Sequence, residues 1–592
     1  MKYKLINPIN PKYNAIEQVL TNRGIKYEDI KPFLYTTDED ISSPLLLGTH
    51  TVMSGARVLL TRAILGHKTL VVVDADCDGY TSAALLINYL NDIAPSFVES
   101  RLEWFLHDSK QHGLSDCVDY ILEHEYKLVI LPDASSNDYE YHKILAENDI
   151  QVLVLDHHEA EYISPDAIVI NNQLSNYPNK DLSGVGVTWQ FCRAIDELNN
   201  LDFANKYLDL VALGLTADMM SMLSPETKHL VQKGFTQENL RNPFIYEMAK
   251  KNSFSLGDSI TPMGAAFYIA PFVNSMVRSG TQEEKELLFK SMLTFKAFEQ
   301  IPSTKRGHAL GEMERVVDQA VRVATNVKNR QTRTQDESLD FLEAMIQRQN
   351  LLEHKVLLFL LEPGQIDRNV AGLIANKFIA KYQRPCCILT KVVDTEETGE
   401  KRLSYQGSAR GYDKSGFTNF KSICAGFEGT LYAEGHPGAF GLGLRAEDIE
   451  GFISYTDEAL AEMSGEPIYL VDYIFTEHGV KKEYILDIAD MDHLWGKNLE
   501  EALIAIQGIK VTSDMVTLMS PDRKPTLKIT LPNGVCLIKF NSNEAEYEKF
   551  LSTGYVEVNI VGTCNKNEWC GYITPQVFIQ DYDIVGQARY MF

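Results

Sequence analysis

The chain has 592 residues, 45% of them hydrophobic and 23% charged, enough for about three or four domains with sizeable cores. Its net charge of −25 excludes a uniformly basic nucleic-acid binder, because such a surface repels a polyanion unless the charge is reversed locally. The nine cysteines contain no Cys-x-x-Cys pair, which argues against a disulfide framework and points to a reduced, cytoplasmic setting, and no apolar run approaches the roughly 18 residues of a membrane span.

Val71-Val72-Val73 reads as a buried strand of a parallel sheet, and it delivers Asp74, Asp76 and Asp78 at alternate positions before turning on Gly79. Ligands collect in the crevice at the carboxyl ends of such strands. An Asp before a helix is also a common N-cap, so one such run decides nothing alone. Three further apolar segments end in the same way: Leu128 to Pro132 runs into Asp133, Val152 to Leu155 into Asp156-His157-His158, and Leu210 to Gly214, read as a fourth strand, toward Asp218. Four strand ends carrying carboxylate or imidazole are hard to explain as caps. Together Asp74, Asp76, Asp78, Asp133, His157 and Asp218 form a mostly oxygen shell with a little nitrogen, which favours Mn²⁺ or Mg²⁺ over zinc, with Mn²⁺ the first expectation. Balancing so many anionic ligands takes about two divalent ions, the arrangement that serves phosphoryl displacement.

Farther along, Lys305, Arg306, Arg315, Arg322, Lys328, Arg330 and Arg333 accompany Val316, Val317, Ala320, Val321, Ala324 and Val327 at helical spacing. That pattern predicts an amphipathic helix joining two domains, its basic side either a solvated face or one wall of a single-strand cleft. A second α/β unit is expected from the strand Val356 to Leu361 onward. The glycine-rich stretch Gly435 to Gly443 reads as a tight strand-to-helix connection or as part of a phosphate site. A Ser and an Arg beside small residues, as in Gly407-Ser408-Ala409-Arg410, offer the donors a terminal phosphate needs. From about residue 463 the pattern turns to alternating strands, with Pro532-Asn533-Gly534 as a hairpin turn. This predicts a five-stranded β-barrel of the OB type, on which Trp569 and Tyr572 are either core residues or base-stacking rings. Cys564 and Cys570 read as strand residues.

These segments resemble the DHH phosphoesterase superfamily, and within it the RecJ single-strand-specific exonucleases. Asn22-Arg23-Gly24-Ile25 and Phe33-Leu34 are similar to the lead-in, Asp74 to Ser82 to the first motif, Asp133 to the second, Asp156-His157-His158 to the third, and Asp209 to Asp218 to the fourth. Ser183 to Val187 resembles the family's glycine-valine turn. Pro271 to Arg278 resembles a stretch carrying an Asn and a phosphate-facing Arg. Asp367 to Ala375, Gly407 to Arg410 and Gly435 to Ala439 resemble the associated DHHA1 domain.

The resemblance implies metal ligation by Asp76, Asp78, Asp133, His157 and Asp218, with Asp74 beside them and Asp78 or Asp133 as a bridge. It also implies that His158 faces the scissile phosphate and that Asp156 orients the histidines. Asn274, Arg278, Ser408, Arg410, Gly435 and His436 become substrate contacts. The chain departs from the family pattern where His107 stands near a usual Arg and His112 at a usual aromatic, and where Glu226-Thr227-Lys228 replaces Glu-Asn-Arg.

The expected architecture is therefore an α/β parallel-sheet DHH domain over 1–300, a connecting helix over 301–350, a DHHA1 α/β domain over 351–462 and an OB-like barrel over 463–592. The expected activity is metal-dependent 5′-to-3′ hydrolysis of single-stranded DNA to nucleotides, in recombination, repair or replication. The protein is expected to be a cytoplasmic monomer, away from membranes, that meets single-stranded DNA and a single-strand-binding protein or helicase. Two other readings compete with this one: a phosphodiesterase acting on short oligonucleotides or cyclic dinucleotides, and a non-catalytic nucleic-acid-binding adaptor.

Overall fold

The computed structural model describes residues 1–108, 111–257, 259–395, 401–412, 419–463, 468–476, 479–520, 523–551 and 554–588. Two units separate by their internal contacts. One comprises Glu28–Arg330 with Met491–Glu501, the other Met1–Tyr27, Gln331–Asp490 and Ala502–Phe592.

In the first unit, five strands form a parallel sheet: β1 (Thr69–Val73), β2 (Leu102–Leu106), β3 (Leu128–Pro132), β4 (Gln151–Asp156) and β5 (Ile168–Asn171). Every residue of β1 and β3 is buried, as expected for strands covered on both faces. Val71, Val72 and Val73 are each no more than 2% exposed, and burying a side chain of this size stabilises the fold by roughly 1.5–3 kcal/mol. The strand order is β2-β1-β3-β4-β5. The chain leaves β1 toward β2 and then returns past β1 to β3, and this reversal opens a crevice at the carboxyl ends of β1 and β3. Asp74 and Asp133 are the residues that emerge there.

Helix α1 (Cys77–Ile93) follows β1 at once and packs with α2 (Gly184–Asn199) and α3 (Leu208–Ala217). The segment approaching Asp218 is thus a helix and not the fourth strand expected. A short apolar run has no periodicity that separates a buried strand from a buried helix, and its Leu and Ala residues are strong helix formers. Helices α4 (Ala270–Ser279) and α5 (Gln282–Met292) complete the elements that bear on the site.

Helix α6 (Val316–Arg348) carries the predicted apolar stripe, with Val317, Ala320, Ala324 and Val327 all 0% exposed. The helix starts later than the basic stretch. Lys305 and Arg306 lie between two short paired strands, Gln300–Pro302 and Met313–Arg315. The cations are largely matched by acids: Arg315 with Asp318 at 2.7 Å and Glu247 at 3.2 Å, Arg330 with Glu284 at 2.9 Å, Lys305 with Glu314 at 3.3 Å, and Arg322 with Glu314. The solvated-face reading fits this pairing better than an open basic wall does.

The second unit holds a mixed sheet of β6 (Leu357–Leu361), β7 (Cys386–Thr395), β8 (Lys401–Arg410), β9 (Thr430–His436) and β10 (Ala439–Arg445), in the order β9-β10-β8-β7-β6. Gly435 to Gly443 is therefore a strand-to-strand hairpin, not a strand-to-helix connection. Helix α7 (Arg368–Tyr382) is capped by Asp367, whose side chain accepts from Asn369 N at 2.9 Å. The lead-in is tied to this unit through Arg23, whose guanidinium donates to both oxygens of Asp472 at 2.8 and 3.0 Å.

The C-terminal strands are β11 (Tyr473–Thr476), β12 (Leu503–Thr512), β13 (Val516–Met519), β14 (Thr526–Thr530), β15 (Cys536–Lys539), β16 (Tyr555–Trp569) and β17 (Tyr572–Ala588), ordered β11-β12-β16-β17-β15-β14-β13. Seven strands replace the expected five, and among the described residues the outer strands β11 and β13 do not pair with each other. Three of the seven, β11, β13 and β15, are four residues long, and of these only β15 is flagged in the sequence, by the hairpin turn before it. Trp569 and Tyr572, 75% and 79% exposed, stand at the tip of the long β16–β17 hairpin. No helix among the described residues is long and apolar enough to cross a membrane.

Candidate metal centre

Each acid is held by local backbone geometry before any ligand is considered. Asp76 is the N-cap of α1 and accepts from Gly79 N at 3.0 Å, so the cap reading and the ligand reading are both compatible with its position. Asp78, in the first turn of α1, is 2% exposed. It accepts through Oδ1 from Ser183 Oγ at 3.0 Å and from Val185 N at 3.4 Å, at the start of α2. Asp133 takes a left-handed φ of 70° and donates its N–H to Leu155 O at 2.8 Å. Such a conformation costs about 1–3 kcal/mol and is commonest at functional sites. Asp156, fully buried at the end of β4, accepts from Ser136 N at 3.0 Å, His157 N at 2.7 Å and His158 Nδ1 at 2.8 Å. Asp218 closes α3.

These residues converge. His157 Nε2 lies 3.3 Å from Asp133 Oδ1 and 3.4 Å from Asp218 Oδ2. Ligand-capable atoms cluster within 4.8 Å of one another in the sets Asp78–His157–Asp218 and Asp74–Asp76–Asp133. All six sequence-predicted ligands are thus brought together, as two adjacent triads. A further set, Asp133 with Asp156, His157 and His158, also lies within this limit, but both Asp156 oxygens already accept hydrogen bonds. The buried Asp74 Oδ1 and Asp78 Oδ2 have no hydrogen-bond partner, and an orphaned buried carboxylate oxygen is costly unless it is ligated or protonated. Oxygen-rich triads with one imidazole suit Mn²⁺ or Mg²⁺.

The electrostatics agree. Burial first, and the Asp76 charge second, push Asp78 up to about 7. Burial and then the Asp78 charge push Asp218 up to about 8 and raise Asp133 well above the carboxylate range. Unfolded carboxyls titrate near about 4. Between about pH 4 and pH 8 the folded metal-free protein therefore holds more protons than the unfolded chain, and its stability falls as pH rises through that window. Metal-free protein is expected to melt lower at about pH 8 than at about pH 6, with Mn²⁺ raising the melting temperature most at the higher pH, where ligation displaces fewest protons. Calorimetric melts at the two pH values, with metal and with chelator, check this; a metal-free melting temperature that climbs over the window contradicts it.

The two histidines differ sharply. Burial and then the His158 charge lower His157 to about 4, leaving a neutral imidazole fit for ligation. The hydrogen bond that His158 donates to Asp156 raises His158 to about 9. Burial opposes charge on Asp156, but the His158 hydrogen bond and charge prevail and hold its carboxyl far below the usual range.

Several supporting residues lay outside sequence reasoning. A Cβ on Gly214, in α3, would sit 2.2 Å from Asp78 Oδ1 and 2.6 Å from both Thr81 Oγ1 and Val185 Cγ1. Only glycine lets α3 approach the Asp78 carboxylate. Gly214→Ala is expected to weaken Mn²⁺ binding about 10–100-fold, as loss of a ligand's supporting contacts does, with far-UV dichroism unchanged; titration calorimetry reads this, and unaltered affinity would remove the packing argument.

Asn274, expected at substrate, accepts through Oδ1 from Cys77 N at 3.1 Å and so braces the first turn of α1. Arg278 is four residues on in α4 and so on the same face, and its buried Nε has no partner. His107 is buried and lies 2.8 Å through Nδ1 from Asp116, while Lys285 Nζ holds its carbonyl at 2.9 Å. Glu226 accepts from Tyr177 Oη at 2.5 Å, and Lys228 is buried over the Phe33 ring at 4.1 Å. The departures from the family pattern at His107 and Lys228 thus serve internal packing.

In the second unit, Arg410 pairs in register with Ala439, which pairs with His436, and Ser408 pairs with Gly441. Gly435 and His436 are exposed, Ser408 and Arg410 half-buried. Ser408, Arg410, Gly435 and His436 are thereby gathered around one end of the sheet, with small residues between them.

Residues 68–215 match the model described as the DHH family, N-terminal domain. A prophage-derived protein of Bacillus subtilis (strain 168), named as the single-strand DNA-specific exonuclease YorK, is 32% identical over 588 residues, covering 99% of this chain and 98% of the relative. The single-stranded-DNA-specific exonuclease RecJ of the same strain is 25% identical over 582 residues, covering 96% of this chain and 67% of RecJ. The crystal structure of RecJ from Thermus thermophilus in complex with Mn²⁺ shares the fold with a TM-score of 0.70 at 19% sequence identity, covering 99% of this chain and 80% of that one.

Proposed function

The chain belongs to the DHH family of single-strand-DNA-specific exonucleases that includes YorK and RecJ, and from that membership we propose that it hydrolyses phosphodiester bonds of single-stranded DNA from the 5′ end, releasing nucleotides. The observation that carries the reading is the pair of adjacent triads with buried, partnerless carboxylate oxygens. Asp78, His157 and Asp218 would hold one divalent cation and Asp74, Asp76 and Asp133 the other, Mn²⁺ ahead of Mg²⁺. Bound there, the cation pair supplies water activation and neutralisation of the phosphoryl oxygens.

The chain's own groups do the rest. His158, kept protonated by Asp156, presents its imidazolium to the scissile phosphate and stabilises the charge that develops there. Arg278 adds a planar donor fork to the same phosphate. Asn274 keeps the Asp76–Asp78 turn in place. Ser408, Arg410, Gly435 and His436 grip the 5′ end or its neighbouring phosphates. In this reading residues 1–300 form the catalytic domain, 301–350 the connecting helix, 351–462 the DHHA1 domain and 463–592 an OB-like strand-binding module whose Trp569 and Tyr572 stack on bases. The protein acts as a cytoplasmic monomer in recombination, repair or replication, beside a single-strand-binding protein or helicase.

The test is digestion of one oligonucleotide labelled at either end, single-stranded or duplex, with Mn²⁺ or chelator. Metal-dependent release of the 5′ label as a mononucleotide, with the duplex spared, is expected. Turnover of dinucleotides but not the long strand would replace the reading with a small-substrate phosphodiesterase, and binding without turnover would replace it with an adaptor.

A further inference from the structure

His112 lies in the loop after β2, and its Nδ1 is 2.7 Å from Asp74 Oδ2. The loop that carries it is anchored on the far side of the crevice. Leu114 N donates to Asp138 Oδ2 at 2.9 Å, and Ser135 Oγ donates to the same carboxylate, so the residues beside His112 are tied to the segment that follows Asp133. Asp74 itself has no room to turn. It is 1% exposed, its carbonyl accepts from Asp76 N at 3.0 Å, and a Cβ on Gly79 would lie 2.5 Å from Asp74 Cβ, so the backbone of α1 closes against it. One carboxylate oxygen is thus engaged by His112, while the buried Oδ1 has no hydrogen-bond partner and Asp74 is grouped with Asp76 and Asp133.

We propose that His112 is a positioning residue for one cation of the pair: its Nδ1–H donates to Asp74 Oδ2 and leaves Oδ1 free for the ion held with Asp76 and Asp133. Asp74 is no member of the triad formed by Asp78, His157 and Asp218, so an effect carried through Asp74 falls on one cation and not the other. Partners of this kind, which fix the orientation of a ligating group, alter metal affinity about 10–100-fold. The inference rests on the reading of the acids as two cation sites.

Mn²⁺ titration calorimetry on the full chain, comparing wild type, His112→Ala and His112→Asn, tests both. Wild type is expected to bind two ions with separable constants. In His112→Ala one constant weakens about 10–100-fold and the other is unchanged, and His112→Asn, whose amide N–H stands near the position of Nδ1–H, restores most of the loss. Two constants unchanged in His112→Ala, or both weakened together, would overturn the positioning role, as would an Asn variant no better than Ala. A wild-type protein that binds fewer than two ions removes the two-site reading and this inference with it, and that failure is visible before any variant is compared.

Discussion

Asp78→Ala is expected to abolish hydrolysis while leaving binding of single-stranded DNA partly intact. Asp78 is held on every side: 2% exposed, bonded to Ser183 and Val185, and pressed by Gly214. Removing it opens one triad, so the several kcal/mol of charge stabilisation a divalent ion supplies is lost, on the order of 10³-fold or more in kcat. The same carboxylate is a burden on the metal-free fold, since burial raises it to about 7. Asp78→Asn, which keeps the shape without the charge, should therefore melt higher than wild type in chelator above neutral pH while losing its Mn²⁺-induced stabilisation. Retained turnover in either variant would remove Asp78 from the reaction.

His158→Ala is the second large effect, and it separates chemistry from metal binding. The ring is bonded through Nδ1 to the buried Asp156, and its side chain is 55% exposed, so it faces the crevice rather than the core. Loss of one preorganised donor at a developing charge costs about 10²–10³ in kcat. Mn²⁺ stoichiometry should survive, because neither cation triad includes His158. Asp156→Asn is expected to resemble His158→Ala in rate but to cost stability as well, since Asp156 also accepts from the Ser136 and His157 backbone N–H groups. A His158→Ala enzyme within a few-fold of wild type in single-turnover hydrolysis would assign the role elsewhere.

Much of the centre was legible because a parallel sheet concentrates function at strand ends. Asp74, Asp133, Asp156 and His157 each follow an apolar run by one or two positions, so reading the runs located the ligands. Asp218 was found by the same signal although its run is a helix: the acid after an apolar segment was visible, the type of segment was not. What the sequence could not carry was distance. His112 meets Asp74 across 38 positions, Ser183 meets Asp78 across 105 and Asn274 meets Cys77 across 197, and a lone His, Ser or Asn has no local signature that names such a partner. Gly214 is a milder case, for a glycine inside an apolar run hints at close backbone approach without saying to what.

The basic stretch running into α6 left its two readings open for a related reason. Counting Lys305, Arg315, Arg322 and Arg330 along the chain gives a cationic strip, whereas in space Glu314, Glu247, Asp318 and Glu284 neutralise it. At the C-terminus, alternation identified strands correctly but not their number, because register and closure depend on pairings between segments far apart in sequence.

The proposed function stands on six side chains holding a pair of divalent cations in the crevice between β1 and β3. Crystals of the protein grown with Mn²⁺ and measured at the manganese absorption edge test it directly. Two anomalous peaks per chain are expected, about 3.5–4 Å apart, one against Asp78, His157 and Asp218 and the other against Asp74, Asp76 and Asp133. A single peak, or peaks away from these residues, would contradict it.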